Sequence, residues 1–257
     1  MSVLTAAPPS TPCPVAIQGV SKRFILQHER HRAFQDMVVN LFRPNGRKSS
    51  QEEFWALKNV TLHIGRGEMV GIVGQNGSGK STLLKLMAGI IQPTEGKIDV
   101  RGRISALLEL GAGFHPELTG RDNVYLNGSL LGFSRREIDR KFDDIVQFAE
   151  IEQFIDTPIK HYSSGMYMRL AFAVAINVDP DVLIADEVLA VGDAGFVRKC
   201  LQKVREFQER GTTIVLVTHD LATVVEMCGR AIWLSHGQIV ADGPPPRVVE
   251  QYVRSVG

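Results

Sequence analysis

The chain has 257 residues, 44% of them hydrophobic and 22% charged, a profile that supports a packed core without disulfide help. Lys and Arg total 29 against 28 acidic residues, so there is no overall basic bias of the kind that nucleic-acid binding exploits. Cys13, Cys200 and Cys228 share no close metal-ligand spacing, and no apolar run reaches the roughly twenty residues of a membrane span, so a cytosolic chain that does not cross a bilayer is expected.

Residues 1–14 are rich in proline and serine and predict a disordered lead-in, without the basic flank and apolar stretch of a signal peptide. Residues 15–20 predict a short strand. Within 25–54, Phe34, Met37, Val38 and Leu41 fall at one-face helical spacing, and 22–48 carries seven Lys or Arg against Glu29 and Asp36. This inserted amphipathic segment is read either as a helix docked on its own domain or as one resting against a membrane surface or membrane partner. "TLHIGRGEMVGIVG" predicts two strands joined by a turn at 65–67, after which "GQNGSGKST" opens a helix that stops at Gly89. "GKIDVRGRI" is a further strand region.

Between 115 and 165 the pattern turns helical. "SRREIDRKFDDIVQFAEI" carries the capping box Ser134 with Glu137, and Ile138, Phe142, Ile145, Val146 and Ala149 line one face. In "KHYSSGMYMRL", Ser163 or Ser164 caps the next apolar helix, and that N-terminus is either a cap alone or a second anion site. Strands and helices then alternate: "DVLIAD", a helix around 196–209, "TTIVLVTHD", a short helix, "AIWLS", "HGQIVADG" and a tail at 246–257. The order predicts an α/β fold, a mononucleotide-binding core with an antiparallel β portion and a helical subdomain.

The run Gly74, Gln75, Asn76, Gly77, Ser78, Gly79, Lys80, Ser81 matches G-x-x-x-x-G-K-[ST] between an apolar strand and a helix. Its amides would surround phosphate, Lys80 would reach the β and γ oxygens of a nucleoside triphosphate, and Ser81 would ligate Mg²⁺. "DVLIADE" delivers Asp186 toward the metal and Glu187 toward an attacking water. His219, after the next apolar strand, would hydrogen-bond the γ-phosphate or that water. No N-K-x-D guanine-reading motif is present.

Taken in order, "GQNGSGKST", "YSSGM", "VLIADE", "VGD" and the "TH" of His219 resemble the nucleotide-binding subunit of ABC transporters. The long segment before the P-loop, "LLELGAGFHPELTGRDNVYLNG" and "GPPPRVVEQYV" are similar to ATPase subunits that export O-antigen, with capsule and teichoic-acid exporters as close relations. The resemblance implies a P-loop NTPase of the ABC type over 15–245, which uses ATP and Mg²⁺ and closes as a homodimer on two ATP. It also implies integral-membrane permease subunits, a lipid-linked polysaccharide handled by the complex, and a place on the cytoplasmic face of the inner membrane. Ser163, Ser164 and Gly165 would then meet the γ-phosphate held by a partner's P-loop.

By the same resemblance, Phe24 stacks on adenine, with Phe54 and Trp55 as rivals. Thr82 completes the phosphate loop, Glu187 is the catalytic carboxylate, His219 the switch histidine and Asp193 the aspartate at the dimer seam. The glutamine that usually touches Mg²⁺ is replaced: simple counting gives Leu110, and Glu109, which has an oxygen to offer, is the preferred metal-side residue. The signature also departs from the family pattern at Tyr162, Ser164 and Met166. The carbohydrate-binding domain of some relatives is not expected in these 257 residues. Alternatives of another class are a nucleotide-closing scaffold that does not hydrolyse ATP and an ABC ATPase outside transport.

Overall fold

The structure, a computed structural model, describes residues 14–26, 52–108, 110–177, 179–186 and 193–256. Two sheets face each other. The first is antiparallel, in the order β2–β1–β4, from β1 (Val15–Leu26), β2 (Glu52–Ile64) and β4 (Glu95–Val100). The second runs β5–β6–β7–β3–β8–β9, from β5 (Ile104–Leu107), β6 (Val182–Asp186), β7 (Thr213–Val217), β3 (Met69–Val73), β8 (Arg230–Ser235) and β9 (Gln238–Gly243). Its strands are parallel except β9, which returns antiparallel on β8.

Strand β3 shows how the parallel sheet is buried on both faces. Met69 and Val73 enter one apolar cluster, while Val70 and Ile72 enter the other, which fills the space between the sheets together with Val15, Ile17, Leu83 and Met87. Helix α1 (Lys80–Met87) therefore lies inside the two-sheet sandwich. The opposite face is covered by α5 (Ala194–Glu209), α6 (Leu221–Met227) and α7 (Pro245–Val256) through Phe196, Val204, Phe207, Val224 and Val248.

The helical subdomain comprises α2 (Gly120–Leu130), α3 (Arg135–Ala149), short 3₁₀ turns at Glu152–Phe154 and Ile159–His161, and α4 (Ser164–Ile176). The α3 capping box forms as its sequence predicts, and all five of its apolar stripe residues are buried. Helix α4 is apolar all round: Leu170, Ala173 and Val174 pack into the subdomain, while Phe172, Ala175 and Ile176 pack onto the large sheet.

Strand β1 runs past the expected 15–20 to Leu26, where it pairs with Glu52 at the start of β2. The β-branched and aromatic run through Ile25 and Phe54 favours a long hairpin ladder, so the ends of the proposed insertion belong to the sheet. The expected amphipathic helix, with Phe34, Met37, Val38 and Leu41, lies outside the described residues, as does the expected lead-in 1–14 except Pro14, which is buried and accepts from the Arg101 amide at 2.8 Å. The tail is a docked helix, since Val248 is buried and Tyr252 meets Trp233 edge-on at 6.0 Å.

At the end of β3 remote from the P-loop, Arg230 fastens the sheets together. It donates to Asp242 through two bonds of 2.6 Å, to the His63 carbonyl at 3.0 Å and to Glu68 at 3.2 Å. Arg230→Met would remove these four bonds, and it is expected to lower unfolding free energy by about 2 kcal/mol, measured by urea denaturation.

Candidate nucleotide site

The loop 74–79 is shaped by close backbone approaches. A Cβ on Gly74 would lie 2.2 Å from the Leu234 carbonyl oxygen, and one on Gly79, at φ +104°, would lie 2.6 Å from that of Ala56. A Cβ on Gly77, at φ +77°, would meet nothing within 4 Å, so its glycine serves the backbone conformation on the exposed side of the loop. Gln75 and Asn76 are exposed beside it, whereas Ser78 and Lys80 are buried. The Lys80 ammonium donates to the carbonyls of Gly74 at 2.7 Å and Gln75 at 3.0 Å, which holds a cation inside the curve of the loop.

Two observations fit this loop to phosphate. Helices α2, α4, α5 and α6 open on residues whose side chains accept from first-turn amides, but α1 opens on Gly79, with no side-chain cap. Its N-terminus thus has no side-chain cap in the way of an anion, and it lies beside the lysine charge. In addition, the buried Ser78 hydroxyl has no hydrogen-bond partner among the described residues. Ser81 is exposed and Thr82 half-buried at the first turn of α1.

The sheet order brings the other groups to the same edge. Asp186 ends β6 opposite Val217 of β7, which itself lies next to β3, and His219 follows Val217 by two residues. The carboxyl ends of adjacent parallel strands therefore deliver the phosphate loop, a carboxylate and an exposed imidazole. An exposed hydroxyl and a carboxylate are the oxygen donors that Mg²⁺ prefers. Glu187 and Glu109 lie outside the described residues; Leu110, the residue given by simple counting, packs against the core.

Phe24 and Phe54 are directly paired across β1 and β2, with 37% and 49% of their surfaces exposed. Trp55 pairs with Arg23 instead, and strand alternation places it on the other face of the sheet. Phe54 is two residues from Ala56, the point where β2 touches Gly79. The two phenylalanines therefore form an aromatic pair on the same strand face as Ala56, the point where β2 touches the phosphate loop, whereas Trp55 lies on the other face.

Ser163 caps α4 by accepting from the Met166 amide at 3.2 Å. Capping uses one of the first-turn amides and leaves those of Ser164 and Gly165, so cap and anion site are compatible. Gly165 has no internal reason to be glycine: its φ is not positive, and an added Cβ would meet only the Ser163 Oγ, at 3.8 Å.

Both tyrosines of this segment have partners inside the chain. Tyr162 donates to the Phe154 carbonyl at 2.8 Å, and burial pushes its pKa up to about 12. Tyr167 donates to the Gly111 carbonyl at 3.1 Å and meets Phe114 edge-on, clamping the loop after β5 to α4. Asp193 caps α5 through the amides of Gly195 and Phe196 and pairs with Arg169. Those contacts hold its pKa below the usual carboxylate value, with the Phe196 amide the largest cause. Sequence reading passed over Tyr167 and Arg169. Their signal, polar tips on an otherwise apolar helix, has no meaning until the packing is known.

The ABC transporter family profile matches residues 57–190. The chain is 48% identical over 226 residues to an O-antigen export system ATP-binding protein of Myxococcus xanthus, covering 88% of this chain and 52% of that protein. It is 41% identical over 238 residues to a teichoic acids export ATP-binding protein of Listeria innocua, covering 93% of this chain and 69% of that one. The chain belongs to the ABC transporter ATP-binding family. The fold agrees with a dimeric structure of the ATP-binding cassette MJ0796 bound to ADP and Pi, with a TM-score of 0.69 and 26% identity over 90% of this chain and 98% of that one.

The protein is an ABC-type ATPase. When bound, Mg²⁺ offsets charge on the ATP phosphates, and Ser81 and Asp186 are the residues that would hold it. Lys80 and the loop amides would orient the phosphates, and His219, at the same sheet edge, is the residue that would hydrogen-bond the terminal phosphate or its water. Lys80→Ala is expected to weaken binding of a fluorescent ATP analogue by roughly 10- to 100-fold while leaving the fold intact, as judged by circular dichroism.

Proposed function

We propose that this ATPase powers export of a lipid-linked cell-surface polysaccharide of the O-antigen type. It closes as a homodimer on two ATP beneath a separate permease at the inner face of the membrane. The observation that carries the two-chain reading is Gly165. Glycine in a helix costs about 1 kcal/mol relative to alanine, and the residue has open space and ordinary backbone here, so its small size serves something outside the chain. A partner's γ-phosphate, approaching the Ser164 and Gly165 amides and the Ser163 hydroxyl, is that group.

The cargo reading is supported by the names of the relatives, which divide between O-antigen and teichoic-acid export. No helix among the described residues is long and apolar enough to cross a membrane, and the proposed path for the polymer is a permease. On α2 and at its C-terminal cap, Leu126, Leu130 and Leu131 present apolar surface to solvent and supply a docking face for it. Glu187 is the proposed carboxylate that activates water, and Glu109 the proposed oxygen donor on the metal side.

Glu187→Gln should bind ATP without cleaving it and should therefore sediment as an ATP-dependent dimer that ADP does not support. Adding Gly165→Leu should abolish the dimer while leaving thermal stability unchanged. ATP-bound monomers of Glu187→Gln at high protein concentration, with permease present, would overturn the two-chain site. For the cargo, deletion of the gene should strip the surface of one polymer and accumulate its lipid-linked precursor; a phosphodiester-linked wall polymer would assign the teichoic-acid type instead.

A further inference from the structure

An open cleft of about 480 Å³ lies at the amino ends of the parallel strands, the edge of the large sheet opposite the phosphate loop. Its charged lining comes from the segments that lead into four adjacent strands: Arg101 before β5, Asp179 and Asp181 before β6, Arg210 before β7 and Arg66 before β3. None of these residues takes part in the nucleotide site. The space suits a small organic molecule better than a bare ion.

Backbone contacts fix the walls before any ligand arrives. The Arg103 amide donates to Oδ2 of Asp181 at 2.8 Å, and the Asp181 amide returns a bond to the Arg103 carbonyl at 2.9 Å, which ties the β4–β5 turn to the entrance of β6. The Thr212 hydroxyl donates to the Pro180 carbonyl at 3.2 Å, which ties the entrances of β6 and β7 together.

The charges in the cleft are unequally committed. Arg101 pairs with Asp99 and Asp179 with Lys141, each at 2.8 Å. With those pairs set aside, Arg66 and Arg210 face one carboxylate, that of Asp181. Arg66 has no ion pair or side-chain hydrogen bond among the described residues, and Arg210 approaches Asp179 only to 3.9 Å. Asp181 has spent one oxygen on the Arg103 amide, and its Oδ1 has no partner among the described residues.

We propose that this cleft binds a small phosphorylated polyol, such as a sugar phosphate. The guanidiniums of Arg66 and Arg210 donate to the phosphate oxygens, for which their planar forks are suited. Oδ1 of Asp181, an acceptor only when ionised, takes a hydroxyl of the polyol. An inorganic anion would meet Asp181 as a repelling charge, and a neutral sugar would leave both arginines unused. Because the phosphate loop lies at the other edge of the sheet, the cleft can fill while nucleotide is bound.

Isothermal titration calorimetry on the full chain tests the site, with Mg·ADP at saturation so that the phosphate loop is already occupied. The probes are glucose 1-phosphate, glycerol 3-phosphate, inorganic phosphate and glucose. At least one of the two polyol phosphates should bind more tightly than inorganic phosphate, and glucose should give no signal. Arg66→Gln combined with Arg210→Gln should weaken that polyol phosphate by about tenfold or more at unchanged melting temperature. Arg247→Gln, which removes an exposed charge on α7 outside the cleft, should leave it unchanged. Asp181→Asn keeps an acceptor for the Arg103 amide, so it should raise the affinity for inorganic phosphate and narrow its gap from the polyol phosphate. Absence of binding by both polyol phosphates at roughly 10 mM, or full affinity in the arginine double variant, would overturn the site. A gap untouched by Asp181→Asn would overturn the hydroxyl contact and with it the polyol assignment.

Discussion

Helix α4 has no solvent face along its second half, and much of the protein's organisation follows from that constraint. Leu170, Ala173 and Val174 belong to the subdomain core, while Phe172, Ala175 and Ile176 belong to the sheet core. Rotating the helix to favour one core would expose large apolar side chains to water from the other, at about 25 cal/mol for each Å² uncovered. The two units are consequently joined by a shared buried rod. Its exposed end is the short N-terminal stretch of Ser163 and Ser164, where the polar residues of the chain's second proposed phosphate contact are found.

The phosphate loop has the opposite origin. It hangs from β3, a strand with neighbours on both sides, and is pressed between the Leu234 and Ala56 carbonyls so tightly that Gly74 and Gly79 admit no side chain. Its conformation is set by the sheet sandwich before any ligand is considered. A rigid loop on the sheet and a helix end on the subdomain are thus independent surfaces within one chain. Two chains placed head to tail would bring them together across each nucleotide, which gives the family's dimeric arrangement a physical logic in this molecule.

Features with a local cause were legible in the sequence. The α3 cap and stripe depend on residues three and four apart, and the loop 74–81 depends on glycines and a lysine within one turn of chain. The long β1–β2 hairpin was read short because its ladder pairs residues such as Phe24 and Phe54, which are separated by the 25–54 segment itself. The docking of α7 was hidden for a similar reason, since Tyr252 acquires its partner Trp233 only once β8 is in place. Arg169 is the extreme case. Its sequence neighbours Met168 and Leu170 say nothing of Glu150 or Asp193, which arrive from α3 and α5.

Those nonlocal polar contacts share one feature. Tyr167 holds the loop after β5 and Arg169 holds the start of α5, both from an otherwise apolar helix, and Tyr162, just before its cap, holds the 3₁₀ turn at Phe154. Apolar packing restrains α4 in depth but is non-directional, so it tolerates small slides along the helix axis. Hydrogen bonds to the Gly111 and Phe154 carbonyls and to Asp193 depend on direction and fix that remaining freedom. A helix restrained in this way is tied in register to the loop that contains Gly111 and to the first turn of α5, so the position of its N-terminus is set by contacts well removed from it in sequence.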